Sequence, residues 1–110
     1  MENCVFCKII NKEIPTDLIF ENERFVVFND INPKAKIHIL ILPKQHIESI
    51  KSLEEGDKEL MGELFLVAKK VANDKNMEGY KLLFNVGREG GQMVDHLHLH
   101  LLSSDWKAPI

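Results

Sequence analysis

Histidine and leucine alternate in one short run of this sequence, His96-Leu97-His98-Leu99-His100. Because successive side chains of a β-strand point to opposite faces, we expect the three histidines to share one face and the leucines to face the core. Near neutral pH, histidine acts as acid, base, nucleophile or metal ligand, so a merely solvated row of imidazoles is the weaker interpretation. Two chemistries stay open at this point: a metal ion bound by the imidazoles, or an imidazole nucleophile assisted by its neighbours.

The residues around this run favour chemistry on a phosphate group. A fourth histidine, His38, interrupts the apolar run 37–42. Asn85-x-Gly87 and Gly90-Gly91-Gln92 precede the histidine run, and glycine allows backbone N–H groups to approach an anion closely. A plain hairpin loop would explain the two adjacent glycines by themselves. Beside four histidines, we interpret them as part of an anion site.

The two cysteines, Cys4 and Cys7, form a C-x-x-C motif near the start of the chain. The first residues lack the basic region and the apolar stretch of a secretory signal, which predicts a cytoplasmic protein with reduced thiols. Under reducing conditions, such a pair is more typical of metal ligands or of a redox pair than of a structural disulfide.

Composition limits the class of protein. The 110 residues suffice for one domain, 1–110, and 45% of them are hydrophobic while 28% are charged, which is ordinary for a globular protein. Fourteen basic against 17 acidic residues give a net charge of −3, which argues against a nucleic-acid partner. No run approaches the roughly 18 apolar residues of a membrane helix, so no membrane partner is expected.

Two helices and about five strands are predicted to position these residues. Apolar residues recur at helical spacing over 5–12 and over about 57–76, and Ser52-Leu53-Glu54-Glu55 fits a capping box before the longer helix. Strands are predicted at 18–21, 24–28, 37–42, 80–86 and about 94–102. Short connections indicate an α+β fold with a mainly antiparallel sheet, in which 37–42 is central. The long helix is expected to gather its apolar residues on one face: Leu60, Met61, Leu64, Phe65, Ala68, Val71 and Ala72. This face and the sheet edges are candidate dimer surfaces.

Taken together, the ordered motifs resemble the histidine triad (HIT) superfamily, and in particular its Hint-like branch of nucleoside phosphoramidases and nucleotidyl hydrolases. The resemblance covers nearly the whole chain. The segments that carry it are Cys4-Val5-Phe6-Cys7-Lys8-Ile9-Ile10, Glu13-Ile14-Pro15, Phe28-Asn29-Asp30-Ile31-Asn32-Pro33, His38-Ile39-Leu40-Ile41-Leu42-Pro43-Lys44-Gln45-His46-Ile47, Asn85-x-Gly87, Gly90-Gly91-Gln92 and His96-Leu97-His98-Leu99-His100.

The resemblance implies a single HIT-like domain with a nucleoside monophosphate site and a two-step reaction. His98 would attack the α-phosphorus and form a nucleotidyl-histidine, which water would then hydrolyse. His100 and His38 would bind phosphate oxygens or assist proton transfer. No divalent ion is required for this chemistry.

The same resemblance implies roles in nucleotide binding. Asn85 and Gly91 would hold the phosphate, with Gln92 close by, and the backbone N–H groups of the glycine-rich loop would stabilise charge on it. Asp30 would accept hydrogen bonds from the ribose hydroxyls, as an acceptor-only carboxylate can, although a turn-capping aspartate explains it equally well. The apolar pocket for the purine base would consist of Phe6, Ile9, Ile14, Phe28 and Ile31, which would otherwise be core residues.

The resemblance further implies a structural zinc ion and a homodimer. Some members carry zinc on two cysteines and two histidines, and this sequence has a matching set in Cys4, Cys7, His46 and His96. Cys2His2 coordination is a common closed structural site. His96 would then anchor the chain next to His98 and would not act on substrate. Two reduced thiols and two unrelated histidines are the alternative.

Three positions depart from the family pattern. Met93, which the resemblance assigns to the nucleotide site, stands where the phosphoramidase branch usually has a serine. That serine hydrogen-bonds the phosphate and helps to protonate the leaving amine, which a thioether cannot do. Asp95 stands where an aromatic residue is common and is expected to orient an imidazole or bind a substrate amine. Ser103-Ser104 replaces glycines that often follow the triad.

The sequence therefore predicts a zinc-bearing enzyme that cleaves a purine nucleoside 5′-phosphoramidate or a related phosphoanhydride. Three alternatives stay open: a dinucleoside polyphosphate hydrolase, a nucleotide-binding regulatory protein with little catalysis, and a hydrolase whose metal lies on the three histidines of the run.

Overall fold

A computed structural model describes residues 3–106 and confirms the predicted α+β class, with one five-stranded antiparallel sheet, one long helix and one short helix. The strands lie in the order β1-β2-β3-β5-β4. In chain order the elements are α1 (Val5–Ile10), β1 (Leu18–Glu21), β2 (Phe25–Asn29), β3 (His38–Pro43), α2 (Lys58–Asp74), β4 (Tyr80–Leu83) and β5 (Leu99–Ser103).

Strand β3 is central, as predicted from its unbroken apolar run. All six of its residues are buried, and it pairs with β2 on one side and β5 on the other. Alternate residues of the sheet serve two different cores. One face, including Ile39 and Ile41, packs against the buried stripe of α2. The other face, including Leu40 and Leu42, packs against Phe6 of the short helix.

Helix α2 covers the first of these faces. Its buried residues follow the helical period and are Leu60, Leu64, Val67, Ala68, Val71 and Ala72. Phe65 is an exception to the predicted apolar face, because it is 45% exposed. The helix begins at Lys58, close to the predicted start at 57. The capping box before it is formed by Glu54 and Asp57, not by the predicted Ser52 and Glu55.

The last two strands are shorter than predicted. β4 ends at Leu83, and β5 begins only at Leu99, opposite Ile41 of β3. Upstream of Leu99 the chain leaves the ladder, since the Leu97 N–H donates to the carbonyl of Ile47 in a loop at 2.7 Å. Two residues of the histidine run, His96 and His98, therefore lie before the strand, whereas Leu97, Leu99 and Leu101 are all buried in the core.

Within residues 3–106, neither helix has the length and apolar composition needed to cross a bilayer.

Candidate active site

A cavity of about 580 Å³ opens on the face of the sheet that α1 covers, and we call it the histidine cavity. Of the thirteen residues assigned above to catalysis or nucleotide binding, eleven line it. These are Phe6, Ile9, Phe28, Asp30, Ile31, His38, Asn85, Gly91, Met93, His98 and His100. The motifs that are distant in sequence thus converge on one concave site.

His98 lies in this cavity with only 8% of its surface exposed. Its Nδ1 is 2.6 Å from the backbone carbonyl oxygen of His96. Because a carbonyl oxygen can only accept, Nδ1 carries the proton, and Nε2 of the neutral ring keeps its lone pair. Burial lowers the pKa of His98 below its ordinary value of 6.5, which keeps the ring uncharged. The ring therefore has the protonation state of a nucleophile.

His38 and His100 form a hydrogen-bonded pair next to His98. Nε2 of His38 lies 2.8 Å from Nδ1 of His100, and the backbone N–H of Lys34 donates to Nδ1 of His38 at 3.0 Å. Burial lowers the pKa of His100 to about 4, and the nearby His98 and His38 contribute to the same shift. Nε2 of His100 is buried and has no hydrogen-bond partner among the described residues.

Asp30 directly follows β2 and begins the connection that leads to His38 on β3. One carboxylate oxygen accepts from the Asn32 N–H at 2.8 Å, and the other lies 3.4 Å from Nε2 of His38. The side chain of the adjacent Ile31 is 91% exposed at the rim of the cavity. An acceptor-only carboxylate at a partly apolar rim is suited to bind hydroxyl groups.

The loop 87–92 is held by its own hydrogen bonds, which corrects one expectation. The N–H groups of Gly90, Gly91 and Gln92 donate to carbonyl oxygens within the loop, at 3.1, 3.0 and 3.0 Å. These three N–H groups are therefore not free to bind an anion, whereas the Asn85 side chain at the same end of the cavity offers a donor. The Asn85 amide uses one N–H on the Gly90 carbonyl at 2.8 Å and keeps a second.

Glycine is needed at 91 for a steric reason. Its φ of +90° is one that residues with a side chain rarely adopt, and a Cβ there would lie 3.3 Å from the amide nitrogen of Asn85. The Asn85 side chain therefore occupies the space that the missing Cβ leaves open.

Two of the thirteen predicted residues, Gln92 and Ile14, lie outside the cavity lining. The role expected for Asp95 is also wrong. Gln92 is 2% exposed; its amide accepts from the Gly87 N–H and donates to two backbone carbonyls, so it holds the loop together. Ile14 packs in the core between α1 and the sheet. Asp95 neither orients an imidazole nor faces the cavity, because both of its oxygens pair with Arg88 at 2.8 and 3.0 Å.

Sequence reasoning also missed residues that line the cavity. Lys34, Leu83 and Trp106 belong to the lining. Trp106 is held in place by Lys81, whose Nζ donates to its carbonyl at 3.1 Å and lies 5.0 Å from its ring. No periodicity or motif marks these residues; the one available signal was that Trp106 is the single tryptophan of the chain.

Cys4 and Cys7 at the start of α1 come together with His46, which follows β3, and His96, which precedes β5; we call these four residues the metal cluster. One potential ligand atom from each lies within 4.8 Å of the others. His96 is fully buried, and its Nε2 lies 2.8 Å from the Pro43 carbonyl. A metal-bound imidazole usually donates its second N–H in this way, which leaves Nδ1 of His96 to face the two thiols. The donor set and the orientation of His96 thus fit a tetrahedral zinc ion.

The protonation state of His38 argues against a metal ion among the histidines of the cavity. Asp30, His38 and His100 also bring three potential ligand atoms close together. A metal on Nε2 of His38 would require the proton on Nδ1, but Nδ1 accepts from the Lys34 N–H. The ring is therefore held in the form that does not ligate at Nε2.

Known proteins resemble this chain over nearly its whole length. A family model described as "Scavenger mRNA decapping enzyme C-term binding" matches residues 3–110. Protein HitA of Neisseria gonorrhoeae is 40% identical over 105 residues, which cover 94% of this chain and 98% of that protein.

Solved structures agree with this match. The HIT family hydrolase of Clostridium thermocellum is 43% identical with a TM-score of 0.93, and the alignment covers 100% of this chain and 97% of that one. The HIT family hydrolase of Legionella pneumophila is 45% identical with a TM-score of 0.89, covering 93% of both chains. Because a family model, a relative 40% identical and structures of HIT family hydrolases all match nearly the whole chain, the chain belongs to the histidine triad superfamily.

Proposed function

We propose that this protein is a nucleotide-binding hydrolase that cleaves purine nucleoside 5′-phosphoramidates, or related esters and anhydrides, at the α-phosphorus. The observation that carries the proposal is the hydrogen bond from Nδ1 of His98 to the His96 carbonyl, which leaves Nε2 of a neutral ring as a nucleophile in the cavity. The Clostridium and Legionella structures, described as HIT family hydrolases, support the same reaction class.

The reaction would proceed in two displacements. Nε2 of His98 forms a bond to the α-phosphorus as the bond to the leaving group breaks. The positive charge on the resulting nucleotidyl-histidine is stabilised by the hydrogen bond from Nδ1–H to the His96 carbonyl. A water molecule then attacks the phosphorus, the bond to Nε2 breaks, and the nucleoside monophosphate is released as His98 regains its lone pair.

Two side chains are suited to stabilise the charge that develops on the phosphoryl oxygens. They are His100, whose Nε2 has no partner among the described residues, and Asn85, whose amide keeps a second N–H. In a site that partly excludes water, hydrogen bonds from such donors stabilise the developing charge more strongly than hydrogen bonds from water do. Asp30 would bind the ribose hydroxyls, and the base would lie against Phe6, Ile9, Phe28 and Ile31.

Met93 favours a second candidate within the same chemistry, the hydrolysis of dinucleoside polyphosphates. The residue lines the cavity and is 81% exposed, and its thioether has no proton to donate. An amine leaves readily only when it is protonated, whereas a phosphate leaves as an anion. A site without a hydroxyl at this position is therefore better matched to an anhydride.

We also propose that the metal cluster binds a structural zinc ion. Burial of the Cys7 thiol and, to a smaller extent, the adjacent Cys4 together raise the pKa of Cys7 from 9.0 to about 11. A bound zinc ion would offset this effect, because a coordinating thiol is deprotonated. Zinc would tie α1 to the chain before β5 and thereby fix the His96 carbonyl that orients His98.

A homodimer is the assembly that the surface supports. Three large apolar side chains, Phe65, Leu66 and Leu82, are 45%, 66% and 38% exposed. Phe65 packs edge-on against Phe84, which links the outer face of α2 to the end of β4. β4 is an edge strand of the sheet. An apolar face beside a free sheet edge is typical of a surface that a second copy covers.

The experiment that tests the proposed function compares substrates and one variant. We expect the wild type to release AMP from adenosine 5′-phosphoramidate or from diadenosine polyphosphates, and His98→Ala to release none. If AMP binds but neither substrate is turned over by the wild type, the proposed hydrolase is wrong and a binding protein is indicated.

A further inference from the structure

We propose that the backbone N–H of Lys34 sets the tautomers of His38 and His100, so that His100 presents a proton donor to the histidine cavity. The importance of this arrangement for catalysis rests on the proposed function, but the tautomers themselves do not. Lys34 thereby becomes a positioning residue that acts through its main chain.

The direction of the first hydrogen bond is fixed by chemistry. A backbone N–H can only donate, and that of Lys34 lies 3.0 Å from Nδ1 of His38. Nδ1 of His38 must therefore be unprotonated. Since a neutral imidazole carries one proton, the proton of His38 lies on Nε2.

The second hydrogen bond follows from the first. Nε2 of His38 lies 2.8 Å from Nδ1 of His100, and once Nε2 carries a proton it has no lone pair to accept with. Nδ1 of His100 must then accept. The single proton of His100 is left on Nε2, the buried atom that has no partner among residues 3–106.

A charged form of either ring would break the chain of hydrogen bonds. A second proton on His38 would point at the Lys34 N–H, and a second proton on His100 would point at Nε2 of His38. The carboxylate of Asp30, 3.4 Å from Nε2 of His38, lies on the side from which it favours the proton on Nε2. The turn that follows β2 thus supplies both a carboxylate and an amide that act on one histidine.

The consequence is a division of labour between two neighbouring histidines. His98 has its proton on Nδ1 and a lone pair on Nε2, because its partner is a carbonyl oxygen. His100 has the opposite tautomer, because the amide of Lys34 acts on it through His38. The cavity therefore combines one acceptor and one donor: Nε2 of His98 can attack phosphorus while Nε2–H of His100 binds a phosphoryl oxygen.

The direct test is a long-range ¹H–¹⁵N correlation spectrum of the zinc-loaded protein near neutral pH, which identifies the protonated nitrogen of each ring. We expect Nε2–H for His38 and His100 and Nδ1–H for His98, so His98 serves as an internal reference. A spectrum that shows His38 or His100 protonated on Nδ1 would overturn the proposal.

Two substitutions at position 34 separate main chain from side chain. Lys34→Pro removes the amide proton, whereas Lys34→Ala keeps it and removes only the charged side chain. We expect an Nδ1–H signal from His38 or His100 in Lys34→Pro and none in Lys34→Ala. Unchanged tautomers in a folded Lys34→Pro would contradict the role of the amide.

A second pair keeps the proposal testable where Lys34→Pro does not fold. His38→Gln places an N–H donor near Nδ1 of His100, whereas His38→Glu offers only acceptor oxygens. We expect His100 to stay protonated on Nε2 in the glutamine variant and to move its proton to Nδ1 in the glutamate variant, whose kcat falls at least about tenfold further. The same His100 tautomer in both variants would refute the proposal. Predicted tautomers in a protein that hydrolyses no nucleotide would instead refute the proposed function alone.

Discussion

Nδ1 of His98 lies 2.6 Å from the carbonyl oxygen of His96, so the residue that completes the metal cluster also orients the candidate nucleophile. The side chain of His96 faces the thiols of Cys4 and Cys7, while its main chain faces the neighbouring ring. The two sites are therefore joined through one residue. A change in the metal cluster is expected to reach His98 through this carbonyl.

The identity of residue 93 should set the preference for the leaving group. In Met93→Ser, we expect kcat/KM for adenosine 5′-phosphoramidate to rise at least about tenfold relative to a diadenosine polyphosphate, because the hydroxyl can supply a proton to the amine. Met93→Ala is the control, since it removes the same bulk and adds no donor. Equal gains in both variants would show that bulk, and not proton donation, limits the reaction.

The acid limb of the pH–rate profile should lie below pH 6.5. Burial disfavours the charged form of His98 and lowers its pKa, and it lowers the pKa of His100 to about 4. The nucleophile therefore stays neutral as the pH falls through 6.5, where an exposed histidine would already be protonated. The measurement is kcat/KM from pH 4 to 8, with circular dichroism recorded at each pH. A midpoint at or above 6.5 in folded protein would contradict the account.

Acid should also reduce stability over a defined range. His100 has a pKa of about 4 in the folded chain, against an ordinary value of 6.5. Between these values the unfolded chain binds more protons, so the free energy of unfolding falls as the pH decreases from 6.5 toward 4. Urea titrations of wild type and His100→Asn should show a steeper decline in the wild type. Parallel curves would assign the decline to other groups.

The metal cluster should hold one zinc ion per chain. We expect Cys7→Ser to lose the metal and to lower the free energy of unfolding by at least about 2 kcal/mol, because the ligands no longer hold α1 against the sheet. Lys8→Ala, a neighbour on α1 outside the cluster, is the matched control. Elemental analysis and thermal unfolding measure the two effects. Wild-type protein that binds no zinc and unfolds identically with and without chelator would refute the site.

The exposed apolar face of α2 should carry the dimer contact. Leu66→Glu places a charge at a side chain that is 66% exposed, and it is expected to convert a homodimer into a monomer with little loss of stability. Lys58→Glu, at the start of the same helix, is expected to leave the dimer intact. Light scattering gives the mass of each protein. A wild type that is monomeric at working concentration would contradict the assembly.

Much of the fold could be predicted because local patterns coincide with burial. β3 is apolar on both faces and is buried on both, and α2 shows its core stripe at helical spacing. The predicted strand bounds were wrong where hydrogen bonds to residues distant in sequence determine the backbone conformation. The local pattern predicts Leu97 in a strand, but its N–H donates to the carbonyl of Ile47 in a loop. No local pattern could show that contact. Phe65 fits the apolar period but is 45% exposed.

The candidate site, too, could be predicted only in part. Motifs identified which residues line the cavity, because their chemical types are distinctive. They could not show what each side chain does. The resemblance places Gln92 close to the phosphate, but the partners of its side chain include the Glu48 carbonyl, 44 residues away. Asp95 pairs with Arg88, and the tautomers depend on the amide of Lys34, which has no signature in the sequence.

In the proposed reaction, Nε2 of His98 forms a covalent bond to the α-phosphorus. The most direct measurement mixes zinc-loaded protein with excess adenosine 5′-phosphoramidate or diadenosine polyphosphate, quenches within the first turnover without acid, and determines the intact mass. We predict a species heavier by one adenylyl group in the wild type and none in His98→Ala. AMP release by His98→Ala at the wild-type rate, or an adduct that persists in that variant, would contradict the account.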